Sequence, residues 1–89
     1  MVCLALEPKA ASEAIRLATS TGWSVWVGSD AITHEEHEQL SRTGLRITRF
    51  VYPLADAAPE LVADVLGEIQ EHHPNEIIWV EHIRSAIQI

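Results

Sequence analysis

Ionisable residues that could support chemistry lie at or just after the end of each of four short apolar runs in the chain. Glu7, Asp30 and Asp56 follow the first three runs, and the pair Glu81 and His82 ends the fourth. Carboxylate oxygens of this kind bind hard cations such as Mg²⁺ and Mn²⁺, and a bound metal of this type can support phosphoryl transfer. The pattern therefore permits a metal-dependent site, provided that the fold gathers these side chains.

Helix capping offers a competing explanation for several of these carboxylates. Asp30 and Asp56 each stand just ahead of a predicted helix, where acidic residues are favoured as caps. Glu7 precedes Pro8 and is expected to be a solvated turn residue. Glu81 and His82 extend a predicted strand with no helix after them, so capping does not account for this pair.

The other histidines provide too few ligands for a zinc site. His34 lies three residues before His37 and four before Glu38, so each pair shares a helix face. Two ligands are fewer than zinc requires, and the chain has no cysteine cluster. We expect His34 to be solvated and His37 to lie at the margin of the core, while His72 and His73 end a helix in a structural role.

Phosphate-binding motifs are absent from the sequence. Its four glycines form neither the GxGxxG pattern of dinucleotide sites nor a GxxxxGK[ST] loop, so no nucleotide cofactor is expected. The turn at Gly28 could accept a small anion through backbone N–H groups, but the negative charge of Asp30 beside it opposes this.

The apolar runs alternate with three amphipathic stretches of helical period, which predicts repeated βαβ units and a parallel sheet in one domain, residues 1–89. The predicted strands are Val2–Leu6, Trp23–Val27, Leu45–Tyr52 and Glu76–His82. Gly22 is the expected end of the first helix, and Thr33 and Glu36 have the spacing of a capping box at the start of the second helix. In such open α/β sheets, ligands bind at the carboxyl ends of the strands, where the acidic candidates lie.

Polar residues within the third strand predict the strand order. Arg46, Thr48 and Arg49 interrupt its apolar residues, which is typical of an edge strand and favours the order 3-2-1-4 over 2-1-3-4. The fourth strand, around residues 77–80, is predicted to be buried. The tail Ile83–Ile89 is compatible with either a fifth strand or a short helical turn.

The three tryptophans all fall on predicted strands, where packing in the core is the default. An exposed tryptophan would instead be suited to anchor a partner. The second helix has only two large aliphatic residues, Ile32 and Leu40, and covers its side of the sheet thinly. If this thin cover leaves one tryptophan exposed, the exposed residue is expected to be Trp26 or Trp23, which lie on opposite faces of the sheet.

Charge and composition exclude several classes of partner. Thirteen acidic and six basic residues give a net charge of −7, which repels nucleic acid and favours a basic protein. No apolar stretch approaches the roughly 20 residues of a membrane span. Cys3 is the single cysteine, so an intramolecular disulfide is impossible, and a cytoplasmic location is the simpler expectation.

Two functional hypotheses follow from these patterns. The first is a small acidic, non-enzymatic interaction module that binds a protein partner or itself, including as a homodimer through the edge of the third strand. The second is a metal-dependent enzyme or ligand-binding domain that uses Mg²⁺ or Mn²⁺ on the carboxylates at the carboxyl end of the sheet. The absence of catalytic motifs favours the first.

Overall fold

The computed structural model describes residues 1–81 and confirms the predicted α/β fold. Its elements are β1 (Val2–Ala5), α1 (Pro8–Thr21), β2 (Ser24–Val27), α2 (His34–Arg42), β3 (Ile47–Arg49), α3 (Pro59–His72) and β4 (Ile78–Glu81). The four strands are parallel and lie in the predicted order β3-β2-β1-β4. The predicted alternatives for the tail, residues 83–89, lie outside the described residues.

Two hydrophobic layers cover the sheet, one on each face. The connections through α1 and α2 advance across the sheet in one direction and the connection through α3 returns, so right-handed crossovers put α3 on the opposite face. The α1 face buries Cys3, Val25, Val27 and Ile47 under helical alanines. The α3 face buries Val2, Leu4 and Trp26 under Val65 and Ile69.

Small side chains allow α1 to lie close to the sheet. Ala10, Ala11, Ala14 and Ala18 are buried on its inner side. The helix ends at Gly22, which adopts the left-handed conformation with φ 81° and donates its N–H to the carbonyl of Ala18 at 2.8 Å. The predicted stop at this glycine is confirmed.

A capping box begins α2, as predicted. The amide of Glu36 donates to Thr33 Oγ1 at 3.0 Å, and the amide of Thr33 donates to the Glu36 carboxylate at 2.9 Å. No residue of this helix is fully buried. His37 is half-buried, and its Nε2 lies 3.0 Å from the carbonyl of Ile47. The thin packing of α2 is thus supplemented by a polar contact to β3.

Within residues 1–81, both β3 and β4 are edge strands, because the order β3-β2-β1-β4 leaves one at each side. The prediction for β3 is confirmed, whereas the prediction that residues 77–80 are buried is wrong. Ile77 is 71% exposed, Trp79 46% and Val80 38%. A continuous apolar run does not distinguish a central strand from an edge strand, and among the four described strands the order 3-2-1-4 places the fourth at an edge.

None of the helices α1, α2 and α3 has both the length and the apolar character needed to cross a membrane.

Candidate functional site

The carboxyl end of the sheet holds the predicted acidic residues by position. Glu7 follows β1, Asp30 follows β2 and Asp56 follows β3, and all four strands point the same way. Glu81 is the last residue of β4, where its backbone is in register with Ala5. His82 lies outside the described residues.

The strand order reverses between β1 and β4, and such a switch point is where open α/β sheets bind ligands. Glu7 stands there, half-buried and at the N-cap position of α1, but its side chain makes no capping hydrogen bond. Asp30 and Asp56 follow strands on the other side of β1 from β4. The topology thus spreads the predicted set along the end of the sheet.

Asp30 fixes a loop and does not cap a helix. Its Oδ1 accepts the amide of Leu54 at 3.1 Å, and its Oδ2 accepts the amide of Ala55 at 3.2 Å. The predicted cap of α2 by Asp30 is therefore wrong, because Thr33 takes that position. The physical reason is that the helix starts three residues later, after a further turn, where the capping box satisfies its first amides.

The predicted capping role of Asp56 is also wrong. The N-cap position of α3 belongs to Ala58, no side chain caps this helix, and Pro59 occupies its first turn. Proline has no N–H to satisfy and has a backbone angle suited to a helix start, so this terminus forms without a carboxylate. Asp56 remains exposed to solvent.

Gly28 allows the loop after β3 to cross over the end of β2. A Cβ atom at this position would lie 2.9 Å from both the Cβ and the backbone N of Leu54. The amide of Ser29 donates to the carbonyl of Tyr52, and that of Ala31 donates to Gly28. These two amides are thus already used within the chain, which leaves neither for an anion.

Arg49 has a structural role beyond the edge-strand character that its position in the sequence predicts. Its Nε donates to the carbonyl of Ile32 at 2.9 Å and its Nη2 donates to the carbonyl of Ser29 at 2.8 Å. Val27 is its register partner, so the end of β3 lies beside the end of β2. Arg49 and Asp30 together fasten the loops at the carboxyl end of the sheet.

Metal-ligating residues do not converge in the part of the chain that the structure describes. No group of three or more His, Cys, Asp or Glu side chains there could hold a metal ion. His34 instead pairs with Glu38 at 2.8 Å, and His37 contacts the Ile47 carbonyl.

The outer side of β4 forms a second candidate site, which we call the β4 surface and define as Ile77, Trp79 and Val80. The register Cys3–Trp79 places Trp79 on the α1 face, and the register Leu4–Val80 places Val80 on the α3 face. Among residues 1–81, only β1 pairs with β4. Apolar side chains therefore flank an open strand edge on both faces.

The most exposed of the three tryptophans is Trp79, and not Trp26 or Trp23. Trp26 is only 6% exposed, with its ring centroid 5.4 Å from that of Phe50 and 5.5 Å from that of His72. Trp23 is half-buried on the opposite face. The expectation that Trp26 or Trp23 is the exposed residue is wrong, because α3 covers the first with its wide apolar side and β4 holds Trp79 at an edge. The strand order was the signal that could have identified Trp79.

The solvent side of α3 is strongly acidic. Its exposed carboxylates form no ion pair with any described residue, and they are Glu60, Asp64, Glu68 and Glu71. Their field reaches the phenol of Tyr52, whose pKa is raised first by burial and then by Glu68 and Asp64. This helix therefore gives the α3 face a negative outer surface.

A cleft of about 330 Å³ lies at the amino end of the sheet, where α1 and α2 terminate. Its lining includes Thr19, Gly22, Trp23, Gly44, Leu45 and Arg46. The cleft lies at the opposite end of the sheet from the predicted acidic site.

No protein-family model matches the chain, and comparisons with curated proteins and with solved structures found no match. Its function is therefore inferred from the geometry of its own surfaces.

Proposed function

We propose that this chain is a small, non-enzymatic protein-interaction domain that binds a basic, extended segment of a partner protein along the outer side of β4. The observation that supports this is the β4 surface, where apolar side chains flank a strand edge that no strand within residues 1–81 covers. An extended segment can join such an edge as an additional strand.

The two edges of the sheet differ in how well they could receive a strand. β3 has three residues, with Thr48 exposed and the side chain of Arg49 tied to the neighbouring loop. β4 has four residues and contains neither proline nor lysine, the residues that commonly protect edges. The predicted homodimer through β3 therefore has less geometric support than strand addition to β4.

Trp79 is suited to anchor the partner segment. Its indole is partly exposed beside β4, and tryptophan contributes disproportionately to binding energy at protein interfaces. Val80 offers an apolar contact on the other face. A bound strand would then find one contact on each side, and alternating side chains would supply specificity.

Charge favours a basic partner over a second copy of this chain. The chain carries a net charge of −7, and α3 contributes four exposed carboxylates without ion partners among the described residues. Two copies would repel each other at low ionic strength, whereas a lysine-rich segment would be attracted.

A titration with designed peptides tests the proposal. The ¹⁵N-labelled chain is titrated with a peptide of alternating lysine and valine, and with a glutamate–valine peptide as the charge control. We expect amide shifts along β4 and β1 with the lysine peptide alone, and affinity weakened about tenfold in Trp79→Ser. The matched control is Val51→Ser, since Val51 is also exposed, at 91%, but lies outside β4.

Several outcomes would contradict the proposal. They are shifts centred on β3, equal binding of both peptides, and unchanged affinity in Trp79→Ser. The oligomeric state of the chain without peptide is measured as well. A stable dimer that is lost in Trp79→Ser would identify a second copy of the chain, in place of a basic partner, as the occupant of the β4 surface.

A further inference from the structure

The cleft at the amino end of the sheet is bounded by two chain reversals of the same design. Thr21-Gly22 ends α1 and Thr43-Gly44 follows α2, and both glycines have positive φ, 81° and 92°. A Cβ atom added to either glycine would have no neighbour within 4 Å, so the space beside both turns is open.

One wall of the cleft is apolar and firmly held. Trp23 and Leu45 both line it, and both pack against the buried cluster of the α1 face. Because strands and helices form that cluster, packing against it restricts the movement of the Trp23 indole. The wall therefore offers a pre-formed aromatic contact.

Arg46 is the only charged residue among those that line the cleft. Its backbone is fixed by the sheet, since its carbonyl accepts the amide of Val25 at 2.8 Å. Its exposed side chain makes no hydrogen bond or ion pair with any residue of the described range. The guanidinium thus has its donors available, in a chain whose overall charge is negative.

The carbonyl groups at the helix ends oppose an anion, but side chains occupy some of them. Thr21 Oγ1 donates to the carbonyl of Leu17 at 2.8 Å, and Thr43 Oγ1 donates to that of Leu40 at 2.6 Å. These bonds satisfy part of the acceptor capacity at the two helix ends. Arg46 contributes the one formal charge among the lining residues, and it is positive.

We infer that the cleft binds a small aromatic carboxylate, whose ring lies against Trp23 and Leu45 and whose carboxylate pairs with Arg46. Arginine matches the planar geometry of a carboxylate through two parallel N–H donors. The volume of about 330 Å³ is near the lower limit for small-molecule sites, which suits a ligand of one or two rings. This site is independent of the β4 surface.

Benzoate is the probe that tests the inference, with benzamide as its neutral analogue and acetate as the analogue without a ring. Each is titrated to about 10 mM, above the millimolar dissociation constant of a weak site, while the amide shifts of the ¹⁵N-labelled chain are followed. We expect benzoate to shift residues of both turns, and benzamide and acetate to bind at least about tenfold more weakly.

Variants of two arginines distinguish a specific pairing of benzoate with Arg46 from attraction to positive charge in general. Arg46→Gln is expected to weaken benzoate binding about tenfold and Arg46→Lys to restore part of it. Arg42→Gln is the matched control, because Arg42 is exposed on α2 and lies 3.7 Å from Glu38, outside the cleft lining. The exposed Arg46 side chain makes no hydrogen bond or ion pair with the described residues, so its variants should melt like the parent chain. Absence of shifts at the turns, equal binding of benzamide, or full binding by Arg46→Gln would overturn the inference.

Discussion

Asp30 and Leu54 are joined across the carboxyl end of the sheet by a hydrogen bond of 3.1 Å from the Leu54 amide to the Asp30 carboxylate. The same loop crosses Gly28 so closely that no side chain fits between them. The Asp30 carboxylate thus holds the chain after β3 against the end of β2, and the absence of a side chain at Gly28 leaves room for this close approach.

Removal of the Asp30 carboxylate should loosen this loop. We expect Asp30→Ala to lower the free energy of unfolding by about 1 to 2 kcal/mol, because two backbone amides lose a charged acceptor at a site open to solvent. Urea unfolding measures the loss. Asp56→Ala is the control, since Asp56 is exposed and has no hydrogen-bond partner among the described residues, and it should change stability by less than about 0.5 kcal/mol. Equal effects of the two variants would contradict this assignment.

A methyl group at Gly28 should be costly. Its Cβ would lie 2.9 Å from the backbone N of Leu54, so the loop must move. We expect Gly28→Ala to destabilise the chain by about 1 to 3 kcal/mol. Gly67→Ala is the control and should have the opposite effect, because Gly67 lies in α3 with open space around it. Alanine there should raise the free energy of unfolding by about 0.5 to 1 kcal/mol. Thermal melting distinguishes the two variants. A Gly28→Ala variant as stable as the parent chain would show that the loop adjusts freely.

The capping box should contribute much of the stability of α2. This helix has no fully buried residue, so its first amides depend on Thr33 and Glu36. We expect Thr33→Ala to cost about 1 kcal/mol and to increase hydrogen exchange within α2 more than within α1. Thr33→Ser, which keeps the hydroxyl, should retain most of the protection. Uniform loss of protection across the chain would argue that α2 is held by other contacts.

Tyr52 should ionise at a higher pH than an exposed tyrosine. Burial raises its pKa, and Glu68 and Asp64 add to the increase. The folded chain therefore holds this proton more tightly than the unfolded chain, so the associated stability is present below the ordinary phenol pKa of about 10 and is lost as the pH rises through the folded-state pKa. Tyr52 is the only tyrosine, so phenolate absorbance reports it directly.

Variants of α3 test the cause of that shift. Glu68→Gln should move the midpoint of the Tyr52 titration to lower pH, and Asp64→Asn should do so by a smaller amount. Glu60→Gln, on the same helix but without a role in the shift, should leave the titration unchanged. A midpoint insensitive to all three variants would leave burial as the sole cause.

The elements of the fold were predictable because each had a local signal. Thr33 and Glu36 marked the start of α2, Gly22 marked the end of α1, and the polar residues of the third run identified β3 as an edge. The exposure of β4 was not predictable from its composition, because the sequence Ile78–Glu81 is as apolar as that of a central strand. Its exposure depends on which strand lies beside it, which is a property of the whole sheet.

The sequence predicted which polar residues lie at the carboxyl end of the sheet, but it did not predict which groups they contact. Asp30 reaches Leu54 and Arg49 reaches Ser29, over 24 and 20 residues of sequence. No spacing rule links residues so far apart. The cleft near Trp23 and Arg46 was missed for a related reason, because its two turns looked like ordinary helix stops and only the pairing of β2 with β3, which follow α1 and α2, brings them together.

The unlike margins of the sheet limit how such chains could assemble. β3 is short and polar, whereas β4 is flanked by Ile77, Trp79 and Val80. Among residues 1–81 only the β4 edge is receptive, and a sheet with one receptive edge can be extended only once, so assembly through it would stop at a closed pair, while a fibril needs docking edges at both sides. The asymmetry between the two outer strands would thus protect a chain with an apolar margin against runaway polymerisation.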